Sequence, residues 1–164
     1  MKYSKKSIAI VPGSFDPITY GHINILLKAA HEYDKVYLAV MINPQKNYMF
    51  SIEDRTRIAA AAVSQIDNVE VISYEGMLWE LAKSLNATAI VKGYRNEVDL
   101  EYEKNMAKYN SEMYPQAETI LHKADEKMVN ISSTMIRDRL SKNMDISEFM
   151  PLPAIAEMKK IIKK

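Results

Sequence analysis

Two hydrophobic patterns alternate along the chain. Short runs rich in apolar and β-branched residues, Ile8–Val11, Val36–Ile42, Val69–Ser73, Ala89–Val91 and Thr119–His122, are each followed by polar or turn-forming residues. Runs of this length and composition predict strands. Between them, apolar positions recur at helical spacing. Ile23, Leu26, Leu27 and Ala30 predict a helix from Gly21 to Tyr33. Ser51 precedes a helix reaching Gln65, with Asp54 as the acidic partner of a loose capping box. Met77–Leu85 and Val98–Tyr114 predict two more helices, and Pro115 ends the second of them. Ser133 is the expected cap of a helix through Lys142. Pro151 and Pro153 precede a last amphipathic helix with Ile155, Met158, Ile161 and Ile162 on its apolar side. Tyr109, Met113 and Tyr114 are expected to pack inward, and His31 and His122 to be structural.

Strands alternating with helices over nearly the whole chain predict an α/β fold. The arrangement is one doubly wound, five-stranded parallel sheet covered on both faces, in a single domain spanning 1–164. Ligands of such sheets bind beyond the carboxyl ends of the strands, where the strand order reverses. The segments that meet there are Pro12–His22, Asn43–Phe50, Tyr74–Leu78, Lys92–Asp99 and Lys123–Thr134.

Composition narrows the chemistry. Lys and Arg total 22 against 21 Asp and Glu, so the net charge of +1 gives no bulk electrostatic hold on nucleic acid. The absence of cysteine excludes thiol nucleophiles, disulfides and zinc–thiolate sites. The longest apolar run, Val36–Ile42, is far too short to span a membrane. Lys5-Lys6 before Ile8–Val11 imitates the start of a signal peptide, but Pro12-Gly13 closes the run too early. A cytoplasmic protein without nucleic-acid or membrane partners is expected.

Four segments carry unusual polar chemistry. Gly13-Ser14-Phe15-Asp16-Pro17-Ile18-Thr19-Tyr20-Gly21-His22 follows the first strand and opens the first helix. Free N–H groups and the positive dipole end of that helix suit a phosphate. Gly13 and Gly21 would keep the approach clear, and His22 could donate to a phosphoryl oxygen. Neither the Walker loop nor the Gly-x-Gly-x-x-Gly spacing is present. Ile131-Ser132-Ser133-Thr134-Met135-Ile136-Arg137 places three hydroxyls at a helix start, which alone reads as a helix cap and, paired with the first segment, as a phosphate site. Lys92-Gly93-Tyr94-Arg95 ends a strand, and Arg95 offers a planar fork to phosphate or base. Lys46, in Pro44-Gln45-Lys46-Asn47, follows the second strand.

The first of these segments resembles the nucleotidylyltransferase superfamily, whose signature is (His/Thr)-x-Gly-His, and its Thr19 form is similar to the phosphopantetheine adenylyltransferases. Ile131–Arg137 resembles that family's Ile-Ser-Ser-Thr/Ser-x-x-Arg motif. Lys92–Arg95 and Asp99–Glu103 resemble its Arg-Gly-x-Arg and Asp-Phe-Glu-Tyr-Glu stretch, with Lys92 where Arg is usual and Leu100 where Phe is usual. The resemblance implies a Rossmann-like nucleotidylyltransferase fold and adenylyl transfer from ATP to 4′-phosphopantetheine, giving dephospho-coenzyme A and pyrophosphate. It implies His22, Lys46 and Arg95 as catalytic residues. ATP would meet Ser14, Phe15, His22, Gly93, Tyr94, Arg95 and Glu103, and the run Met128, Val129, Asn130, Ile131, Ser132, Ser133 and Thr134. The acceptor would meet Ser14, Lys46, Leu78 and Lys92. Glu101 is expected to be solvated. No protein carboxylate cluster stands out as a metal site, so Mg²⁺ would arrive with ATP, and the family implies a homohexamer. Two alternatives stay open on sequence: a related transferase using nicotinate mononucleotide or a sugar-alcohol phosphate, and a non-catalytic nucleotide-binding regulator.

Overall fold

A computed structural model describes residues 6–163. The elements run β1 (Ile8–Gly13), α1 (Tyr20–Glu32), β2 (Lys35–Ile42), α2 (Ile52–Val63), β3 (Val69–Glu75), α3 (Leu78–Ser84), β4 (Ala89–Tyr94), α4 (Glu97–Met113), β5 (Glu118–Lys123), a 3₁₀ turn (Glu126–Met128), α5 (Ser133–Ser141) and α6 (Leu152–Ile162). The five strands form one parallel sheet in the order β3-β2-β1-β4-β5. The expected doubly wound α/β architecture is present, with its order reversing between β1 and β4.

Strand register opens that switch point. β1 pairs with β2 from Ile8↔Lys35 through Gly13↔Val40. Its registered pairs with β4 stop at Ala9↔Ala89 and Ile10↔Ile90. The carboxyl ends of β1 and β4 therefore part, and α1 starts over the gap. Ile25 of α1 lies where a side chain on Gly93 would be: a Cβ there would come within 2.8 Å of Ile25 Cγ1.

Alternate residues of the strands feed two cores. Ala9, Val11, Val36, Leu38 and Val40 pack with α1, α2, α6 and Ile136 of α5. Ile10, Ala39 and Ile90 pack with Leu81 and Ala82 of α3 and with Tyr114 at the end of α4.

Several local expectations are corrected. Ser51 caps α2 by accepting from the Asp54 N–H, but the reciprocal half of a capping box is absent, because the shorter Asp side chain does not return the bond. The cap of α5 is Ser132, whose Oγ accepts from the Met135 N–H, so Ser133 is the first helical residue. Pro153 lies inside the first turn of α6, where its missing N–H costs nothing. Leu27 and Ile162 are exposed on helices whose neighbouring positions Ala29 and Met158 are buried. Tyr109 and Met113 are 38% and 43% exposed, on the side of α4 turned away from the sheet, while Tyr114 packs inward as expected. Helical spacing shows that α4 has an apolar stripe but not which way the stripe faces.

Candidate active site

A cleft of about 720 Å³ lies at the parted ends of β1 and β4, a size suited to a nucleotide-scale ligand. Four limbs converge on it: the loop from Gly13 into α1, the end of β2 with the loop carrying Lys46, the end of β4 with the start of α4, and the start of α5.

The first limb fixes His22. Thr19 caps α1, its Oγ1 accepting from the His22 N–H at 3.3 Å. The Thr19 N–H donates back to His22 Nδ1 at 3.0 Å, so the imidazole stands where a capping box normally has Glu or Gln. Because Nδ1 accepts, the proton of the neutral ring sits on Nε2. Burial, with a smaller contribution from the Arg95 cation, pushes the His22 pKa down to about 4. The ring at neutral pH is thus an uncharged donor of fixed tautomer. Phe15 meets it edge-on, with ring centroids 4.9 Å apart. Phe15 is buried at a positive φ of 49°. Its ring lies over Gly13, where a Cβ would come within 2.9 Å of Phe15 Cζ. Gly13 thus makes room for Phe15 rather than for a ligand. A Cβ on Gly21 would come within 3.3 Å of Thr19 Oγ1, so this glycine leaves room for the capping hydroxyl, and it would meet the Ile131 carbonyl at an ordinary 3.5 Å.

Cations and carboxylates meet in pairs around the cleft. Lys92 Nζ is 2.6 Å from Glu103 Oε2, and Arg95 Nε is 3.3 Å from Asp99 Oδ2. Arg137 donates to the Asp16 carbonyl at 2.8 Å and lies 3.9 Å from its carboxylate. The Asp16 carboxylate accepts the Met49 and Phe50 N–H groups at 2.8 and 3.0 Å. Every carboxylate of the cleft is therefore engaged, and the described residues hold no group of three metal-ligating side chains.

The hydroxyls at the start of α5 are unequal. Ser132 Oγ is the cap acceptor, and Thr134 Oγ1 accepts from Arg137 Nη2 at 3.1 Å. Both keep their own protons to donate. Ser133 Oγ instead donates to the Pro17 carbonyl at 2.8 Å, tying α5 to the first limb. All three hydroxyls line the cleft, but Ser133 has given its one proton to Pro17 while the other two keep theirs.

This geometry has close relatives. A model of the cytidylyltransferase-like family matches residues 10–139. The phosphopantetheine adenylyltransferase of Caldanaerobacter subterraneus subsp. tengcongensis is 42% identical, over 88% of this chain and 90% of that protein. That of Shouchella clausii is 35% identical over 95% of this chain and 98% of its own. The chain belongs to the phosphopantetheine adenylyltransferases, within the cytidylyltransferase-like family. A solved structure from Vibrio parahaemolyticus, provisionally described as a nicotinate-nucleotide adenylyltransferase, superposes with a TM-score of 0.71 over 95% of this chain and 93% of that one. At 19% identity it speaks for the fold alone.

Against that family's pattern, Ser14, Phe15, His22, Lys46, Leu78, Lys92, Gly93, Tyr94, Arg95 and Glu103 all line the cleft, as do Met128, Ile131, Ser132, Ser133 and Thr134. Val129 and Asn130 do not line it; they lie in the turn closed by the Ile131 N–H donating to the Met128 carbonyl at 3.1 Å. Glu101 is exposed as expected. Sequence reasoning gave no role to Asp16, Arg55 or Arg137. Asp16 and Arg137 stand inside the two end motifs, which was the available signal. Arg55 stands inside an ordinary helical pattern and had none.

Proposed function

We propose that this phosphopantetheine adenylyltransferase joins ATP and 4′-phosphopantetheine to give dephospho-coenzyme A and pyrophosphate. One observation carries the mechanism: a half-buried His22 whose Nδ1 is occupied by the Thr19 N–H, leaving a neutral Nε2–H on the wall of the cleft. The acceptor phosphate has a second pKa of about 6, so it is already an anionic nucleophile at neutral pH and needs no general base. Its oxygen attacks the α-phosphorus in line, the bond to the β-phosphate oxygen breaks, and pyrophosphate leaves with that electron pair. The chain positions two anions and stabilises charge on the α-phosphate.

Placement in the cleft supports a role for each residue. His22 Nε2–H donates to an α-phosphate oxygen. Lys46 and Lys92 hold the acceptor phosphate, and Ser14 stands between acceptor and α-phosphate. Arg95 and the start of α5, with the Ser132 and Thr134 hydroxyls, hold the β- and γ-phosphates. Glu103, the partner of Lys92, sits where ATP and acceptor meet. Mg²⁺ enters bound to the ATP phosphates, since the cleft carboxylates are spent on protein partners.

Self-association is part of the reading. Val98, Tyr102, Met106, Tyr109 and Met113 form an exposed apolar stripe along α4, the kind of surface an oligomer covers. A homohexamer is the state we propose, by analogy with the family. No helix among the described residues is long and apolar enough to cross a membrane, and we place the enzyme in the cytoplasm. The deciding experiment is pyrophosphate release from ATP with a panel of acceptors. Turnover with phosphopantetheine and not with nicotinate mononucleotide is expected; the reverse preference would overturn the assignment.

A further inference from the structure

Arg55, in the first turns of α2, is 1% exposed. A guanidinium buried this far is costly unless its donors are satisfied. No carboxylate among the described residues bonds it. Its Nε donates to the Phe50 carbonyl at 3.2 Å, and its Nη1 donates to the carbonyls of Ser14 at 2.7 Å and Met41 at 3.1 Å. These carbonyls belong to three different segments: the loop after β1, the end of β2, and the residue before the cap of α2. The Tyr48 ring covers the guanidinium carbon at 3.8 Å, a close cation–π stack.

Tyr48 passes this hold to a turn. Its hydroxyl accepts the Asn43 N–H at 2.8 Å. Asn43 in turn accepts the Lys46 N–H on its carbonyl and the Gln45 N–H on its side chain, each at 3.0 Å. Lys46 is exposed on the cleft, and no ion pair among the described residues restrains its ammonium. Its position is therefore set by the turn that carries it. The Asp16 carboxylate fastens the same loop at its far end through Met49 and Phe50.

We propose that Arg55 is a positioning residue of the acceptor subsite. By gripping Tyr48 and the Ser14, Met41 and Phe50 carbonyls, it fixes where Lys46 stands relative to the Ser14 loop, and it touches neither substrate. This rests on the assignment of Lys46 to the acceptor phosphate. Displacing a positioning group by about 1 Å costs up to about a hundredfold in rate, so the brace has kinetic weight.

The test uses the full chain with Arg55→Lys, Tyr48→Phe and Tyr48→Leu, alone and combined with Lys46→Ala. Arg55→Lys keeps a cation but loses the fork. Tyr48→Phe keeps the stack and loses the bond to Asn43, while Tyr48→Leu loses both. Should Arg55→Lys fail to fold, the two Tyr48 variants still test the brace. Tyr48→Leu is expected to raise the acceptor KM by about tenfold or more, with Tyr48→Phe in between and the ATP Kd by titration unchanged within about twofold. In the Lys46→Ala background, Tyr48→Leu is expected to add almost nothing, because both act through one group. Additive effects, or equal losses for ATP and acceptor, would show a merely structural arginine and overturn the proposal. A wild-type enzyme inactive on phosphopantetheine would overturn the functional reading as well, which separates the two failures.

Discussion

The Thr19 N–H donates to His22 Nδ1 while Thr19 Oγ1 accepts the His22 N–H, so one turn of helix locks the ring, its tautomer and the start of α1 together. Two functions thus share one side chain, helix capping and donation into the cleft, and variants can separate them. His22→Ala is expected to lower kcat by roughly 10²–10³, with a much smaller change in ATP affinity. It also removes half of the capping box, at about 1 kcal/mol of stability. His22→Gln restores a normal capping-box partner, so its melting temperature is expected to recover while kcat stays low. Recovery of turnover by Gln would show that capping, not donation by the ring, is what the reaction needs.

The lowered pKa of His22 gives a pH signature. Its folded value, about 4, lies below the ordinary 6.5 of a histidine. The unfolded chain therefore takes up a proton at this residue between about pH 6.5 and 4, while the folded chain stays neutral. The stability contribution is complete above pH 6.5 and is lost as pH falls toward 4. Proton NMR should show a His22 ring that does not titrate between about pH 8 and 5.5. Thermal melts of wild type and His22→Gln should match above about pH 6.5 and separate as pH drops through that window, wild type melting lower. A His22 titration midpoint near 6.5 would contradict the neutral donor.

The ion pair of Lys92 with Glu103 joins two residues that the family pattern assigns to different substrates. Both are mostly buried, so removing one charge strands the other. Lys92→Ala is expected to raise the acceptor KM by about tenfold to a hundredfold, in the range seen when one charged hydrogen-bond partner is lost. ATP affinity should change little. Lys92→Arg, which restores the residue usual in the family, should be tolerated. A thermal melt of Lys92→Ala with Glu103→Gln should recover stability relative to Lys92→Ala alone, since the stranded carboxylate is gone. A loss confined to ATP affinity would place Lys92 on the other substrate.

Much of this site was legible in the sequence because its chemistry is local. Gly13–His22 and Ile131–Arg137 are continuous segments at predicted strand and helix ends, and the doubly wound order puts those ends together. The gaps come from interactions that no local pattern encodes. Ser133 differs from Ser132 because the chain brings Pro17, 116 residues away, to its hydroxyl. Gly13 is small because the Phe15 ring folds back over it. Arg55 reads as an ordinary helical arginine until three segments bring their carbonyls to it. Tyr109 and Met113 fit an apolar periodicity, but the direction of the stripe depends on how α4 rolls against β4 and β5.

The division of labour at the start of α5 leads to the last prediction. Thr134 Oγ1 accepts from Arg137 and still has its own proton to donate, whereas Ser133 has spent its proton on Pro17. A helix N-terminus favours negative charge, and a hydrogen bond to a charged group is worth about 1.5–3 kcal/mol. Thr134→Val keeps the shape of the side chain and removes the donor. It is expected to weaken ATP by about tenfold or more while leaving AMP, which has no β- or γ-phosphate, nearly unchanged. Ser133→Ala removes a tether between α5 and the His22 limb rather than a phosphate contact. Its loss should therefore fall on ATP and AMP alike, and should appear as a lowered melting temperature. Calorimetric titration of both nucleotides into both variants, with a melt of each, tests the assignment. A selective loss of ATP in Ser133→Ala and none in Thr134→Val would mean that the Pro17 bond yields when nucleotide binds, and that Ser133 is the phosphate ligand.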